Sequence, residues 1–321
     1  MSKRFFGNQM VSILLLLVTL SGSAYAQAPV KKIGVLLWTN DTRYEESLKG
    51  FIEQLKEGGY ASPQVEFIVR RAAGKKVLAL QYSKELAALN LDLYYSAGTS
   101  GTGLLAREIK EAPIVFAVVY DPVNGGLIQG LTSSKNNLTG ATNMVPTDKV
   151  LELALRIVPF KSVAVLYTPN EKNSECQLKD LQLVQAAFGL SVIPVPVVNK
   201  TEITKIIPFL RGMAQAIYVT GSSVVRKGLP DIVDFANKNK ILTFSVLGDL
   251  MAEGVMVGLC GDDTEQGMLA GETAVEILKG AKPEDIPIKK AKTLLVLINK
   301  KSLDTAGFSI PQDIIQKAKV F

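Results

Sequence analysis

From Lys32 to the end of the chain, apolar runs of strand length alternate with longer amphipathic stretches. No other feature constrains the fold as strongly, because repeated strand–helix–strand units build parallel sheets covered by helices on both faces. The first buried strand is read over 33–38. The spacing predicts a helix over 43–57, with Leu48, Phe51, Ile52 and Leu55 on one face, stopped by Gly58 and Gly59. Strands follow over 64–70, 91–96, 114–119 and 138–145, with a helix over 77–89 between the first two. The rhythm then restarts with helices over 147–157, 174–188, 202–210 and 224–239 and strands over 162–167, 191–197, 216–220 and 242–246. A third section holds a strand over 254–259, a helix over 264–278, a polar lysine-rich linker over 280–292 and a strand over 294–298. These are too many parallel strands for one comfortable sheet, so the chain is an α/β protein of two lobes.

Residues ahead of this pattern read as an export signal. Lys3 and Arg4 precede an eleven-residue apolar run, Met10 to Leu20, and Ala24-Tyr25-Ala26 supplies the small residues a signal peptidase selects. Eleven residues at about 1.5 Å each fall short of the roughly 30 Å hydrocarbon core, so cleavage after Ala26 is expected rather than anchoring. Cleavage removes two cations and no acid, lowering the net charge from +6 to +4. That is too mild to imply a nucleic-acid partner. The chain has no histidine, which excludes Ser-His-Asp and Cys-His nucleophiles, His-ligated zinc and an imidazole general base. No acidic cluster resembles a metal cage, and neither a metal nor a cofactor is expected. Cys176 and Cys260 form no CxxC motif and are read as separate small buried residues or free thiols, with a disulfide as the alternative if the fold brings them together.

In open parallel sheets, ligands bind beyond the carboxyl ends of the strands, where loops enter helix N-termini. One such loop is Ser96-Ala97-Gly98-Thr99-Ser100-Gly101-Thr102-Gly103. Its glycines permit close backbone approach and its hydroxyls and helix N-terminus suit an anion, or it is an ordinary capped turn. It lacks the Lys-Ser/Thr of a phosphate loop. The loops holding Trp38, Thr39 and Asn40, then Tyr120 and Asp121, then Asn173 and Ser174, then Gly221, Ser222 and Ser223, are candidates of the same kind, as is Ser245 at its strand end. Trp38 either stacks on a ligand ring or caps the core. Asp121 either accepts a ligand hydrogen bond or caps a short helix beginning near Asn124. Asp262 and Asp263 read as a cap for the helix from Thr264. No paired acid and base stands out, so no enzyme activity is expected.

Several short segments, weak alone but consistent in order and spacing, carry a resemblance to a known family. They are Gly50-Phe51 with Leu55 and Gly59-Tyr60; Pro113-Ile114-Val115-Phe116; Asp121-Pro122-Val123; Asn137-Leu138-Thr139-Gly140; Met144-Val145-Pro146; Val165-Leu166-Tyr167; Ala216-Ile217-Tyr218-Val219; Ile277-Leu278-Lys279-Gly280 with Pro283; and Ile310-Pro311. The chain resembles the periplasmic substrate-binding proteins of ABC transporters, of the tryptophan/tyrosine type. The resemblance implies the type I periplasmic-binding fold, with chain crossings near 141–146, 245–248 and 281–293. Lobe one would combine 27–143 with 248–284, and lobe two 144–247 with 285–321. It implies a periplasmic monomer that closes on a small organic molecule, amino acid-like or carboxylate-bearing, and delivers it to an inner-membrane permease. The alternative is a ligand-sensing subunit for a membrane signalling receptor. Carried over, the family's ligand loops fall on Thr99, Ser100, Asp121, Asn143, Asn173, Ser174, Ser222 and Ser223. Many amino-acid-binding members have aspartate where this chain has Asn143 and Ser222. A buried α-ammonium normally needs a negative partner, so a neutral or anionic ligand stands as an equal candidate.

Overall fold

The computed structural model describes Met1 and residues 29–321, so the expected signal segment over 1–26 lies almost wholly outside the described residues. The first unit runs β1 (Lys31–Leu37), α1 (Thr42–Glu57), β2 (Val65–Arg71), α2 (Lys76–Ala88), β3 (Leu93–Ala97), α3 (Thr99–Glu108), β4 (Ile114–Val119) and β5 (Leu138–Thr142). The second runs α4 (Thr147–Ile157), β6 (Ser162–Tyr167), α5 (Lys172–Val184), β7 (Ser191–Pro196), α6 (Lys200–Ile206), β8 (Ala216–Val219), α7 (Ser223–Lys227), α8 (Leu229–Asn239) and β9 (Leu242–Ser245). Then come β10 (Val257–Gly261), α9 (Asp263–Leu278), β11 (Lys289–Lys290), β12 (Leu294–Ile298), α10 (Lys300–Ala306), α11 (Gln312–Ile315) and β13 (Lys319–Val320).

Two sheets result, ordered β11-β5-β4-β3-β1-β2 and β13-β12-β10-β9-β8-β6-β7. Their pairings are parallel except that of β10 with β12, which is antiparallel. Strand alternation explains the layering of the first lobe. Ile33, Val35 and Leu37 of β1 pack with Phe51 and Leu55 of α1 and Ala270 and Ala274 of α9. Leu36, one step out of phase, joins Leu86 and Leu105 on the opposite face. Each of these buried valine, leucine, isoleucine and phenylalanine side chains contributes about 1.5 to 3 kcal/mol.

The pairing relocates two lobe boundaries expected from sequence. Residues 248–284 were expected in lobe one, yet β10 pairs with β9 and β12 and so belongs to the second sheet. The second crossing therefore lies between Gly261 and Asp263, fifteen or so residues later than expected. Residues 285–321 were expected in lobe two, yet β11 pairs with Ala141 and Thr142 of β5 in the first sheet. The lysine-rich stretch is thus partly an edge strand, and Lys289 is held by Glu272 and Glu276. Two helices expected as continuous are interrupted. Gly228 separates α7 from α8, and Pro208 sits in a 3₁₀ turn, Ile207–Leu210, after α6.

Candidate ligand-binding site

The loops at the strand carboxyl ends of both lobes face each other across a cleft. At its centre is a cavity of about 20 Å³ lined by Arg43, Tyr44, Thr99, Val118, Tyr120, Asn143, Asn173, Gln177, Gly221 and Leu247. Two grooves flank it. One of about 270 Å³ includes Thr39, Asn40, Ser222 and Arg226; the other, of about 980 Å³, includes Trp38, Thr99, Ser100, Asn170 and Ser223.

Local backbone geometry aims several groups at the cavity. Gly98 adopts φ +101 before α3, and a Cβ there would lie 2.9 Å from that of Trp38, so only glycine permits this approach. The next residue, Thr99, is thereby set on the wall, where its Oγ1 accepts from the Tyr120 N–H at 3.3 Å. Val118 has φ +53, rare for a β-branched residue, at the register shift between Phe116 and Val119. This bulge turns Val118 inward, a placement of backbone strain found most often at functional sites. From lobe two, Asn173 and Gln177, one turn apart on α5, clamp the Gly221 peptide. Asn173 Nδ2 donates to its carbonyl at 2.7 Å, and its N–H donates to Gln177 Oε1 at 2.8 Å. That bond fixes which way the Asn173 amide points. Its Oδ1, like that of Asn143, is buried without a partner.

Charges surround the cavity without dominating it. Arg43 is buried and donates to both oxygens of Asp249 at 3.0 Å, to Asp41 at 3.1 Å and to the Tyr44 hydroxyl at 3.2 Å. Burial works against its charge, but Asp249, Tyr44 and Asp41 more than offset this and raise its pKa. Burial likewise works against the Asp249 carboxylate, and Arg43 and Arg226 overcome it, so its pKa is lowered. Tyr120 donates to Asp180 of α5 at 2.6 Å across the lobes; burial pushes both pKa values up.

Of the residues expected from sequence, Thr99, Tyr120, Asn143, Asn173 and Gly221 come together on the cavity wall. Trp38 lines the larger groove instead, its indole N–H donating to Ser223 Oγ at 2.9 Å, and Ser223 in turn donates to Glu171 at 2.7 Å. Thr39 and Asn40 lie on the smaller groove and Ser100 on the larger. Asp121 takes its structural alternative: at φ +42, its carboxylate accepts from the Asn124 N–H at 2.9 Å and the Asn124 side chain at 2.5 Å, capping a turn rather than the expected helix. Four hydroxyls are committed elsewhere. Ser96 accepts from Thr102, Ser174 donates to the Glu171 carbonyl, and Ser245 donates to the Val219 carbonyl. Ser222 caps α7 and bonds Thr168 Oγ1 at 2.6 Å. Asp262 caps α9 by accepting from the Glu265 N–H.

Sequence reasoning missed Arg43, Tyr44, Val118, Gln177 and Leu247. Arg43, Tyr44 and Gln177 sit one helical turn beyond the loops that were read, so extending each loop by a turn along the facing side of its helix finds them. Among the described residues, no group of three or more histidines, cysteines or acids could hold a metal ion.

Two α/β lobes joined by three crossings, with the candidate site in the cleft at their strand ends, define a two-lobed binding protein of the type I periplasmic-binding fold. More narrowly, the chain belongs to the ABC transporter substrate binding protein family, whose model matches residues 32–321. It is 26% identical over 276 residues to a tyrosine-binding protein of Clostridioides difficile, covering 85% of this chain and 80% of the relative. A crystal structure from Streptococcus pneumonia of an ABC domain in complex with L-Trp superposes with a TM-score of 0.85 at 27% identity, covering 91% of this chain and 99% of that one. A ligand-free, open substrate-binding protein with adhesive properties from Clostridium difficile shares the fold with a TM-score of 0.73 at 24% identity, over 91% of this chain and 99% of that one.

Proposed function

We propose that this protein is the extracytoplasmic solute-binding component of an ABC import system. It captures an amino acid between its lobes and presents it, as a monomer, to the inner-membrane permease. Export through the N-terminal segment, cleaved after Ala26, belongs to the same reading, and no helix among the described residues is long and apolar enough to cross a membrane. The role is binding rather than catalysis.

The observation that carries the ligand class is the pair of unpartnered amide oxygens, Asn143 Oδ1 and Asn173 Oδ1, on the wall of the interlobe cavity. A buried acceptor without a donor costs about 1 to 3 kcal/mol. An α-ammonium offers three N–H donors and would satisfy both. The aspartates absent at Asn143 and Ser222 thus have a neutral substitute in two unpartnered amide oxygens of residues lining one cavity, and the relatives that bind tryptophan and tyrosine support the same class. A 20 Å³ space holds about one water. Admission of an amino acid therefore requires the lobes to part and close again.

Thermal-shift measurements with L-tryptophan, L-tyrosine and their deaminated carboxylate analogues test this. The amino acids are expected to raise the melting temperature and the analogues to leave it unchanged. Equal stabilisation by the analogues would remove the ammonium from the recognition.

A further inference from the structure

Four charged groups form a ring across the lobe boundary beside the cavity, which it meets only through Arg43. Asp41 and Arg43 belong to lobe one, Asp249 and Arg226 to lobe two. Arg43 holds Asp41 at 3.1 Å and Asp249 at 3.0 Å. Arg226 holds Asp249 at 2.7 Å and approaches Asp41 at 3.7 Å. The side chains of Arg43 and Asp249 are only 7% and 6% exposed. Asp249 is absent from the cavity wall.

We propose that this ring is a latch built from the protein's own groups, with Arg43 and Asp249 as its positioning pair, and that it sets how far the lobes rest closed. The inference rests on the substrate-binding reading only for its purpose, not for its existence. Each lobe contributes one cation and one anion that already contact each other. When the lobes part, Asp41 stays paired with Arg43 in lobe one, and Asp249 stays with Arg226, which also holds Glu253, in lobe two, so neither arginine nor Asp249 is left as a lone buried charge. This matters because a buried ion pair that breaks into lone charges is costly, whereas one that divides into compensated halves is reversible. When the lobes meet, the two-pronged Arg43–Asp249 contact adds charge-assisted hydrogen bonds in a site shielded from water. Trp38 to Ser223 and Tyr120 to Asp180 bridge the same boundary. A latch of this kind favours the closed form before ligand contacts are counted, so it slows both entry and escape.

Small-angle scattering and tryptophan emission on the purified protein without added ligand test the latch. Trp38 is the sole tryptophan and is buried at the boundary, so its emission reports opening directly. Asp249→Asn leaves Arg43 and Arg226 with a neutral partner and is expected to shift the open-to-closed ratio by about 10- to 100-fold, the range for a hydrogen bond to a charged group. The radius of gyration should rise and the emission move to longer wavelength. Arg43→Gln, which breaks the bond from the other lobe, is measured alongside in case one variant folds poorly. Asp313→Asn, which removes an exposed pair with Arg156 inside lobe two, is the control for charge. If the folded Asp249→Asn and Arg43→Gln proteins scatter and emit like the control, the latch is overturned. Since no ligand enters the measurement, opening in these variants together with failure of every amino acid to bind would overturn the proposed function alone.

Discussion

Replacing Gly267 with alanine probes the seam on which the second lobe crossing depends. Helices α1 and α9 touch through glycines. A Cβ built at Gly267 would lie 1.9 Å from the carbonyl oxygen of Ser47, and one at Gly50 would lie 2.2 Å from that of Thr264. The obstacle in both cases is backbone, which cannot rotate aside. Bringing the Gly267 contact to an ordinary 3.4 Å requires the helices to separate by about 1.5 Å, on the scale of a forced methylene insertion into a packed core. That class of change costs roughly 1 to 3 kcal/mol, and the rigidity of both partners places this case at the upper end. A chain of this size loses on the order of 2 to 4 °C per kcal/mol, so a fall of roughly 6 to 12 °C is expected by differential scanning calorimetry. Gly103→Ala is the paired comparison. Gly103 lies in α3, and its Cβ would meet only Leu127 Cδ2 at 3.6 Å, an ordinary contact. There alanine should hold or raise the melting temperature, because it reduces the freedom of the unfolded chain and favours helix. A Gly267→Ala protein melting within a degree of the parent would refute the reasoning that backbone contact sets the seam.

Asp263, at the start of α9, has its pKa raised to about 7 by burial and by the neighbouring Asp249. A raised carboxyl pKa means the folded state binds the proton more tightly, so its contribution is fullest below the unfolded value near 4 and is lost as pH rises through about 7. Melting temperature should therefore fall between pH 5 and pH 8, and Asp263→Asn should flatten that slope. An unchanged slope would mean the group stays ionised throughout. Cys176 and Cys260 are both free and buried, in separate hydrophobic clusters. Reductant should leave the melting curve unchanged, and a thiol reagent should count two thiols only after denaturation.

The alternation of apolar runs made the α/β layers legible because parallel strands buried on both faces read as continuous apolar segments, as in β4 and β10. Membership of β10 was not legible. A five-residue strand carries no mark of which sheet it joins, and the deciding fact is its pairing with β12, a later antiparallel strand. The site divides in the same way. The strand-end rule found Thr99, Tyr120, Asn173 and Gly221 because topology alone puts those loops together, while Asn143 came only from the family resemblance. It overcounted hydroxyls, since Ser96, Ser222 and Ser245 sit in the same loops but spend their hydrogen bonds on turns and caps, which composition does not distinguish. It missed Arg43 because a cation at a helix N-terminus reads as solvated. Only the facing Asp249, more than two hundred residues away in sequence, makes it a buried group.

Calorimetric titration of the parent protein and of Asn143→Ala with the amino acid that stabilises it most tests the interlobe site directly. Asn143 Oδ1 is a partnerless acceptor at the cavity wall, and a hydrogen bond to a charged donor contributes about 1.5 to 3 kcal/mol. The parent should bind one equivalent, and the variant, melting no lower than the parent when ligand-free, should bind about 10- to 100-fold more weakly. Equal affinity in the two proteins would contradict the assignment of this cavity as the place where the ammonium is held.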